Sequence, residues 1–205
     1  MRSVVLASGN RGKLAEFGAM LAALDLDVLP QARFGVTDAE EIGLTFVENA
    51  LIKARHAARA TGLAALADDS GLCVDALSGA PGLYSARYAG RHGDDAANNA
   101  RLLAELADVD DDRRGAYFYC CLVLLRHAED PSPLIAEGRW YGRVLRAPRG
   151  AGGFGYDPLF LPEGQTVSAA ELDEASKNRL SHRGLALQAL LQRLRDERLH
   201  HAVVP

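Results

Sequence analysis

The stretch Ala67-Asp68-Asp69-Ser70-Gly71 is the part of the sequence from which the fold and the chemistry can both be predicted. It follows the apolar run Leu63-Ala64-Ala65-Leu66, and a second apolar run begins at Leu72. An apolar run of that length predicts a buried strand, although a buried helix has the same signature. We expect Ser70 and Gly71 to turn the chain, which puts the two carboxylates at a strand end, where α/β sheets bind ligands.

Adjacent carboxylates suit a divalent cation. Mg²⁺ prefers oxygen ligands, usually one or two protein carboxylates together with substrate phosphates. Taken alone, however, Asp-Asp-Ser-Gly is more often a solvated turn that binds nothing. The other segments of the chain therefore have to decide between a metal site and a plain turn.

The composition limits the class of protein. Of the 205 residues, 48% are hydrophobic and 24% charged, as in an ordinary globular protein of one domain or of two lobes around one cleft. The net charge of -4 argues against broad binding to a nucleic acid polymer. The longest apolar runs are far shorter than the roughly 20 residues of a membrane span. With no signal-peptide pattern and no CxxC pair, we expect a cytoplasmic protein without a zinc site or a membrane partner.

Lysine is rare in this chain. There are 20 arginines but only three lysines, Lys13, Lys53 and Lys177. Lysine is a compact point charge, whereas arginine is a wide planar fork. Chance explains any single lysine, but all three fall in candidate binding segments, so we interpret them as positions that need the smaller cation.

A polar loop follows the first predicted strand, residues 4–7. It reads Ser8-Gly9-Asn10-Arg11-Gly12-Lys13 and opens a helix whose apolar stripe is Leu14, Phe17, Leu21 and Leu24. A helix N-terminus offers free N–H groups and positive potential, which suit a phosphate. Lys13 is unfavourable in a first turn unless an anion binds there. The spacing is not that of a Walker loop.

The next helix has clear boundaries. Thr45 and Glu48 form a capping box at its start, so Glu48 is assigned a structural role, and Gly62 is a plausible end. Inside it, Asn49 and Lys53 are four residues apart and share a face. Glu41 precedes this helix and has two interpretations: a carboxylate near a helix dipole, or a second metal ligand beside Asp69.

Further strands and one helix are predicted that carry no candidate site residue. Apolar content predicts an edge strand at residues 27–30 and a central strand at residues 116–125, and Asp94 or Asp95 can cap a helix that ends near Leu106. Residues 134–136 and 142–145 are predicted as separate strands of a hairpin-rich region.

Two segments near the C-terminal end carry candidate recognition residues. The run Gly150 to Pro158 matches GxGxxG, but Asp157-Pro158 favours extended backbone, so no dinucleotide-binding helix is expected. Phe154 in that loop could stack on a base. Lys177 lies in a polar segment. Ser181 is predicted to cap the last helix with His182 and Arg183 in its first turn, where two cations suggest an electronegative target.

Together, these segments resemble the inosine/xanthosine triphosphate pyrophosphatases. The motifs occur in order over nearly the whole chain, and Ser8 and Ile42 depart from the usual threonines. The matching residues are Ser8-Gly9-Asn10 with Lys13, Glu41, Gly43-Leu44-Thr45-Phe46, Glu48-Asn49-Ala50, Lys53-Ala54, Ala67-Asp68-Asp69-Ser70-Gly71-Leu72, Gly79-Ala80-Pro81-Gly82, Tyr84-Ser85-Ala86-Arg87, Gly153-Phe154-Gly155-Tyr156-Asp157-Pro158, Lys177 and Ser181-His182-Arg183-Gly184.

The resemblance implies a fold, an activity and a set of site residues. The fold would be α/β, a single domain over residues 1–205, with an elongated mixed β-sheet flanked by helices and two lobes around a central substrate cleft. The protein would be a homodimer that converts a deaminated purine nucleoside triphosphate (ITP, dITP or XTP) to the monophosphate and pyrophosphate with Mg²⁺. Glu41 and Asp69 would hold the metal, and Asp69 would also activate the water.

The same resemblance implies which residues bind the substrate. Those for the triphosphate would be Ser8, Gly9, Asn10, Lys13 and Lys53, with Arg11 and Gly12 of the same loop. Those for the nucleoside would be Ser70, Phe154, Gly155, Tyr156, Asp157, Lys177, His182 and Arg183.

Elementary chemistry is consistent with this assignment. Phosphoryl transfer depends mainly on positioning and charge neutralisation, which lysines and a metal supply. The donors Lys177, His182 and Arg183 suit a 6-oxo purine and disfavour the adenine amino group, but they do not explain how guanine is excluded. Two alternatives stay open: a related pyrophosphatase for other modified nucleotides, and a nucleotide sensor without catalysis.

Overall fold

Six strands form one mixed sheet in the computed structural model, which describes residues 3–21 and 27–203. The order is β2-β1-β3-β4-β5-β6. Strand β1 is parallel to both β2 and β3, whereas β5 and β6 are antiparallel. The strands are β1 (Ser3–Leu6), β2 (Asp27–Pro30), β3 (Ala64–Val74), β4 (Gly115–Leu125), β5 (Leu134–Val144) and β6 (Phe160–Pro162).

The described residues also form five α-helices. They are α1 (Arg11–Leu21), α2 (Phe46–Thr61), α3 (Asp95–Glu105), α4 (Glu174–Leu180) and α5 (His182–Val203). The predicted α/β class with a mixed sheet flanked by helices is confirmed. Within residues 3–21 and 27–203, every helix is too short or too polar to cross a membrane.

The chain divides into two compact units. Unit 1 comprises Met1–Asp69, Cys120–Gly138 and Arg183–Pro205, and unit 2 comprises Ser70–Tyr119 and Arg139–His182. In unit 1, Phe17 of α1, Leu122 of β4 and Leu187 of α5 belong to one buried apolar cluster. In unit 2, Phe118, Trp140 and Phe160 form an aromatic core. The substrate cleft that the sequence predicts stays a prediction.

The ends of α2 follow the sequence signals. The Thr45 hydroxyl accepts a hydrogen bond from the Glu48 N–H at 3.3 Å, and the Glu48 carboxylate accepts from the Leu44 N–H at 2.9 Å. Gly62 ends the helix in the left-handed conformation with φ 69°. The predicted boundaries and the structural role of Glu48 are confirmed. In α1, Phe17 and Leu21 are buried as predicted, whereas Leu24 lies outside the described residues.

Strand β3 corrects the interpretation of the acidic stretch. It runs without a break through Asp68, Asp69, Ser70 and Gly71, so the predicted turn is wrong and the carboxylates lie inside a strand rather than at its end. A glycine inside a strand often marks a site where another backbone segment approaches closely, and Gly71 is such a site. A Cβ at Gly71 would lie closer to the carbonyl oxygen of Gly82 than van der Waals contact allows.

Gly71→Ala should therefore destabilise the protein by about 1–3 kcal/mol, because the added methyl group meets backbone that has to shift. Urea denaturation followed by circular dichroism measures the change. Gly18→Ala is the matched control: Gly18 is exposed in the interior of α1 with no atom within 4 Å of an added Cβ. It should stabilise the helix by roughly 0.5–1 kcal/mol. Equal stability of the Gly71→Ala variant and the wild type would contradict this role.

One other prediction of local structure was wrong. Residues 134–136 and 142–144 belong to one strand, β5, in which Gly142 stays extended and packs against the carbonyl oxygen of Leu161, and Leu145 lies just beyond its end. The polar segment that carries Lys177 is helix α4, which was not predicted as a helix from the sequence. Asp173 starts that helix by accepting a hydrogen bond from the Ser176 N–H at 2.8 Å.

Candidate active site

All three lysines of the chain are paired with carboxylates of low exposure. Lys13 Nζ lies 2.8 Å from Asp68 Oδ2. Lys53 Nζ lies 2.7 Å from Glu41 Oε1 and 2.9 Å from Asp69 Oδ1. The third pair joins Lys177 Nζ to Asp157 Oδ2 at 2.6 Å. Each of the three lysines thus has at least one specific carboxylate partner, Lys13 and Lys53 in unit 1 and Lys177 in unit 2.

The polar loop before α1 is preorganised by its own side chains. Asn10 Oδ1 accepts a hydrogen bond from the Lys13 N–H at 3.1 Å, and Ser8 Oγ accepts from the Asn10 N–H at 3.2 Å. Gly9 packs so closely on Asp38 that a Cβ would lie 2.5 Å from its carboxylate. Gly12 falls in the first turn of α1, and the side chain of Arg11 lies outside what the structure describes. The loop can therefore present N–H groups to an anion with little rearrangement.

The two adjacent carboxylates have different nearest cations. Successive side chains of a strand point to opposite faces, and here Asp68 contacts Lys13 while Asp69 contacts Lys53. Both carboxylates are almost fully buried, with exposed fractions of 1% and 6%. The sequence motif thus places two neighbouring acids in different surroundings.

Those surroundings shift the two pKa values in opposite directions. Burial raises the pKa of Asp68, but the charges of Lys13, Lys53 and Arg183 outweigh it and hold that pKa well below its ordinary value. For Asp69 burial prevails over Lys53 and Lys13, so its pKa is raised. An acid with a raised pKa accepts protons more readily and suits a general base.

The ammonium of Lys53 stays charged. Burial lowers its pKa, but the carboxylates of Asp69, Asp68 and Glu41 outweigh burial and raise the pKa above the ordinary value. Asn49, one helical turn earlier and 2% exposed, accepts from the Gly43 N–H at 2.8 Å and reaches Asp69 with its amide at 3.4 Å. The sequence shows that Asn49 and Lys53 share a face, but Asn49 was not predicted as a site residue.

The oxygen donors fit a hard cation. Glu41 and Asp69 converge on one ammonium group, so their oxygens already share a positive charge. In the part of the chain that the structure describes, no group of three or more acidic, histidine or cysteine side chains forms a complete metal site. Mg²⁺ needs only one or two protein carboxylates when substrate phosphates complete its coordination shell. Glu41 and Asp69 would therefore be enough protein ligands for one Mg²⁺ ion.

Arg183 belongs to the same cluster in unit 1. Its Nη1 donates to Glu16 Oε2 at 2.8 Å, and its Nε lies 3.9 Å from Asp68 Oδ2. Sequence reasoning missed Glu16 and Asp68 as its partners, because contacts between α1, β3 and α5 leave no local pattern. The predicted contact of Arg183 with a nucleoside stays a prediction.

Unit 2 brings together a second group of predicted residues. The Asp157 carboxylate accepts from the Phe154 N–H at 2.8 Å and from Lys177, and the ammonium of Lys177 lies 5.1 Å from the centroid of the Phe154 ring. Gly155 connects Phe154 to Tyr156, whose hydroxyl donates to the carbonyl oxygen of Ser85 at 2.9 Å. An aromatic ring, a cation and a carboxylate are thus fixed side by side.

The remaining two predicted residues of this unit are near its core. The His182 ring stacks on Phe118 with 4.8 Å between centroids and an angle of 11°. His182 is only 3% exposed, which gives it a packing role in addition to any contact with a ligand. Ser70 follows Asp69 directly in β3 and is half-buried.

Comparison with known proteins agrees with a site for an anionic substrate. The profile of the Ham1 family matches residues 4–193. A dITP/XTP pyrophosphatase from Xanthomonas campestris pv. campestris (strain 8004) is 62% identical over 194 residues, covering 95% of this chain and 98% of the relative. One from Shigella flexneri is 56% identical over 196 residues, covering 96% and 100%. The solved structure of a HAM1 protein from Coxiella burnetii gives a TM-score of 0.88 at 50% identity, covering 96% of this chain and 100% of that one.

The mixed α/β fold of this chain is shared with Ham1 proteins of solved structure. The chain belongs to the Ham1 family. The family resemblance predicted from the motifs is confirmed.

Proposed function

We propose that this protein hydrolyses deaminated purine nucleoside triphosphates, namely ITP, dITP and XTP, to the monophosphate and pyrophosphate. The names of its relatives agree with this predicted activity. The observation that carries the proposal is the convergence of Glu41 and Asp69 on Lys53, close to a preorganised loop at a helix start. A pure binding protein gains nothing from buried carboxylates beside a polyanion unless a metal intervenes.

The residues of unit 1 would bind and activate the triphosphate. Lys13 and Lys53 offset its negative charge, and the loop from Ser8 to Lys13 donates N–H groups to phosphate oxygens. Glu41 and Asp69 would hold Mg²⁺, which when bound neutralises charge on the phosphates and acts as a Lewis acid. Asp69 would take the proton of the attacking water, while Asp68 remains ionised.

The residues of unit 2 would recognise the base. Lys177 beside Asp157 presents a donor next to an acceptor, which matches the 6-oxo group and the N1–H of hypoxanthine or xanthine. Adenine has the reverse pattern, an amino donor beside an N1 acceptor, so two buried polar groups would each lose a partner at about 1–3 kcal/mol. Guanine shares the hypoxanthine pattern, and its 2-amino group has to be excluded by other contacts. Phe154 would stack on the purine.

A substrate panel tests the proposal directly. Purified protein with Mg²⁺ should release pyrophosphate from ITP, dITP and XTP with a kcat/KM at least about a hundredfold above that for ATP, the equivalent of two unpaired groups. Chromatography of the products should give monophosphate and pyrophosphate rather than diphosphate and phosphate. Equal turnover of ATP and ITP would contradict the base recognition, and omission of the divalent metal is the control.

The physiological form follows from the same family membership. We infer that residues 1–205 act as a single domain, that the active protein is a homodimer, and that it works on the nucleotide pool of the cytoplasm. Size-exclusion chromatography with light scattering measures the oligomeric state.

A further inference from the structure

The loop that carries Phe154 lies outside the regular helices and strands. Phe154 is flanked by two glycines with left-handed φ angles, 70° at Gly153 and 62° at Gly155. Glycine-rich backbone has many accessible conformations. The direction in which the Phe154 ring points therefore depends on the hydrogen bonds that fix the backbone on either side of it.

Two side chains of α3 form hydrogen bonds with the backbone of Gly155, one with its N–H and one with its carbonyl oxygen. Asp95 Oδ2 accepts from the Gly155 N–H at 2.7 Å, and Asn99 Nδ2 donates to the Gly155 carbonyl oxygen at 2.9 Å. Residues four apart in a helix lie on the same face, so one face of α3 holds both ends of this peptide segment. We call Asp95 and Asn99 the α3 clamp.

The other side of Phe154 is held within the loop region itself. Its N–H donates to Asp157 at 2.8 Å, and Asp157 is fixed by Lys177 at 2.6 Å. Gly153 permits this arrangement, since a Cβ there would collide with the Asp157 carboxylate. Phe154 and the Asp157–Lys177 pair thus form one group, and the α3 clamp fixes that group at its Gly155 end.

An unsatisfied atom in the clamp supports this role. Asn99 Oδ1 is buried and finds no hydrogen-bond partner among the described residues. Turning the amide over would point Oδ1 at the Gly155 carbonyl oxygen and lose the donated hydrogen bond. A buried acceptor without a partner is unfavourable, and the fold tolerates it in the one orientation that holds Gly155.

We propose that Asp95 and Asn99 are positioning residues for recognition of the nucleobase. They act through Gly155, which sets where the Phe154 ring and the Asp157–Lys177 pair meet the purine. The inference rests on the proposed function, because it needs the base to bind at this loop. It adds two residues of α3 to the specificity machinery.

Kinetics of four variants test the clamp. Asn99→Ala should raise KM for ITP about tenfold and change kcat by less than about twofold, since one hydrogen bond to a positioned group is worth about a factor of ten. Asn99→Asp should raise KM further, because a carboxylate oxygen would face the Gly155 carbonyl. Asp95→Ala should behave like Asn99→Ala, whereas Asp95→Asn keeps an acceptor and should stay within about threefold of wild type.

Asp94 provides the matched control. It caps the same helix by accepting from the Ala97 N–H at 3.1 Å. Asp94→Ala should lower the melting temperature and leave KM unchanged. Hydrogen–deuterium exchange of residues 153–157 in the ligand-free protein should be faster in Asn99→Ala than in the wild type or in Asp94→Ala.

The possible failures are distinguishable. Suppose that the wild type turns over ITP and that Asn99→Ala has the same KM and the same hydrogen–deuterium exchange as the wild type. This result would refute the role of the clamp and leave the proposed function standing. An equal rise of KM in Asp94→Ala would also refute the role of the clamp, because helix stability would then explain the effect. A wild-type protein that releases no pyrophosphate from ITP would refute the proposed function, and with it the role of the clamp in base recognition.

Discussion

Asp69→Asn should lower kcat for ITP by about a thousandfold or more, because it removes at once the proposed base and one of the two proposed metal ligands. General base catalysis contributes about 10²–10⁴ to a rate, and loss of the metal contact adds to this. The substitution keeps the size of the side chain and an oxygen that can accept from Asn49. Binding of ITP, measured by calorimetry, should weaken far less than turnover.

The control for Asp69→Asn is Asp112→Asn, which removes an exposed carboxylate on the loop before β4. It should leave kcat and the affinity for ITP unchanged. If Asp69→Asn keeps a kcat within about tenfold of wild type and Asp68→Asn does not, the base is the neighbouring carboxylate and the assignment from pKa values is wrong.

Asp68→Asn should lower the free energy of unfolding by about 3 kcal/mol or more, because it removes the buried counter-charge of Lys13 and the second carboxylate near Arg183. Asp68 is 1% exposed and lies between Lys13 and Arg183, whose side chains are 15% and 7% exposed. In a protein of this size the loss corresponds to a melting temperature lower by roughly 10 °C. Differential scanning calorimetry measures it.

The pH dependence provides a second test of the same change. The pKa of Asp68 is lower in the folded protein than in the unfolded chain, so its contribution to stability is complete above the unfolded value of about 3.9. As the pH falls below that value, the contribution declines and the difference between wild type and Asp68→Asn should shrink.

Glu129→Gln is the control for that experiment. Glu129 pairs with Arg59 at 3.7 Å, and both side chains are mostly exposed. Surface ion pairs contribute little, so this variant should differ from wild type by less than about 0.5 kcal/mol. A loss in Asp68→Asn no larger than in Glu129→Gln would show that the buried cluster does not stabilise the fold.

Local sequence signals predicted the boundaries of α2 and the position of β4. A threonine cap, a glycine stop and a long apolar run act through neighbouring residues, and such signals survive in any tertiary setting. The turn expected at Ser70-Gly71 failed for the opposite reason. A glycine can form a turn, or it can let another backbone segment pack closely against it. At Gly71 the second case holds, because Gly82 packs against it, and that contact depends on the tertiary fold.

In the candidate site, too, local sequence signals identified some residues, whereas contacts made by the fold could not be predicted. The motifs named Lys13, Lys53 and Lys177, but their carboxylate partners come from segments between 12 and 55 residues away in the sequence. Asn49 could have been found, since it lies one turn from Lys53 on the same helical face. Glu16 and the α3 clamp could not, because nothing in the sequence near either of them indicates a contact with Arg183 or with Gly155.

The three lysine pairs have a practical consequence for chemical modification. The lysine side chains are only 15%, 11% and 10% exposed, each held by a carboxylate, while the arginines that replace lysine elsewhere do not react with amine-directed reagents. Acylating esters and aldehyde fixatives would therefore find few accessible lysine amines. Conjugation or immobilisation through lysine side chains would thus be inefficient.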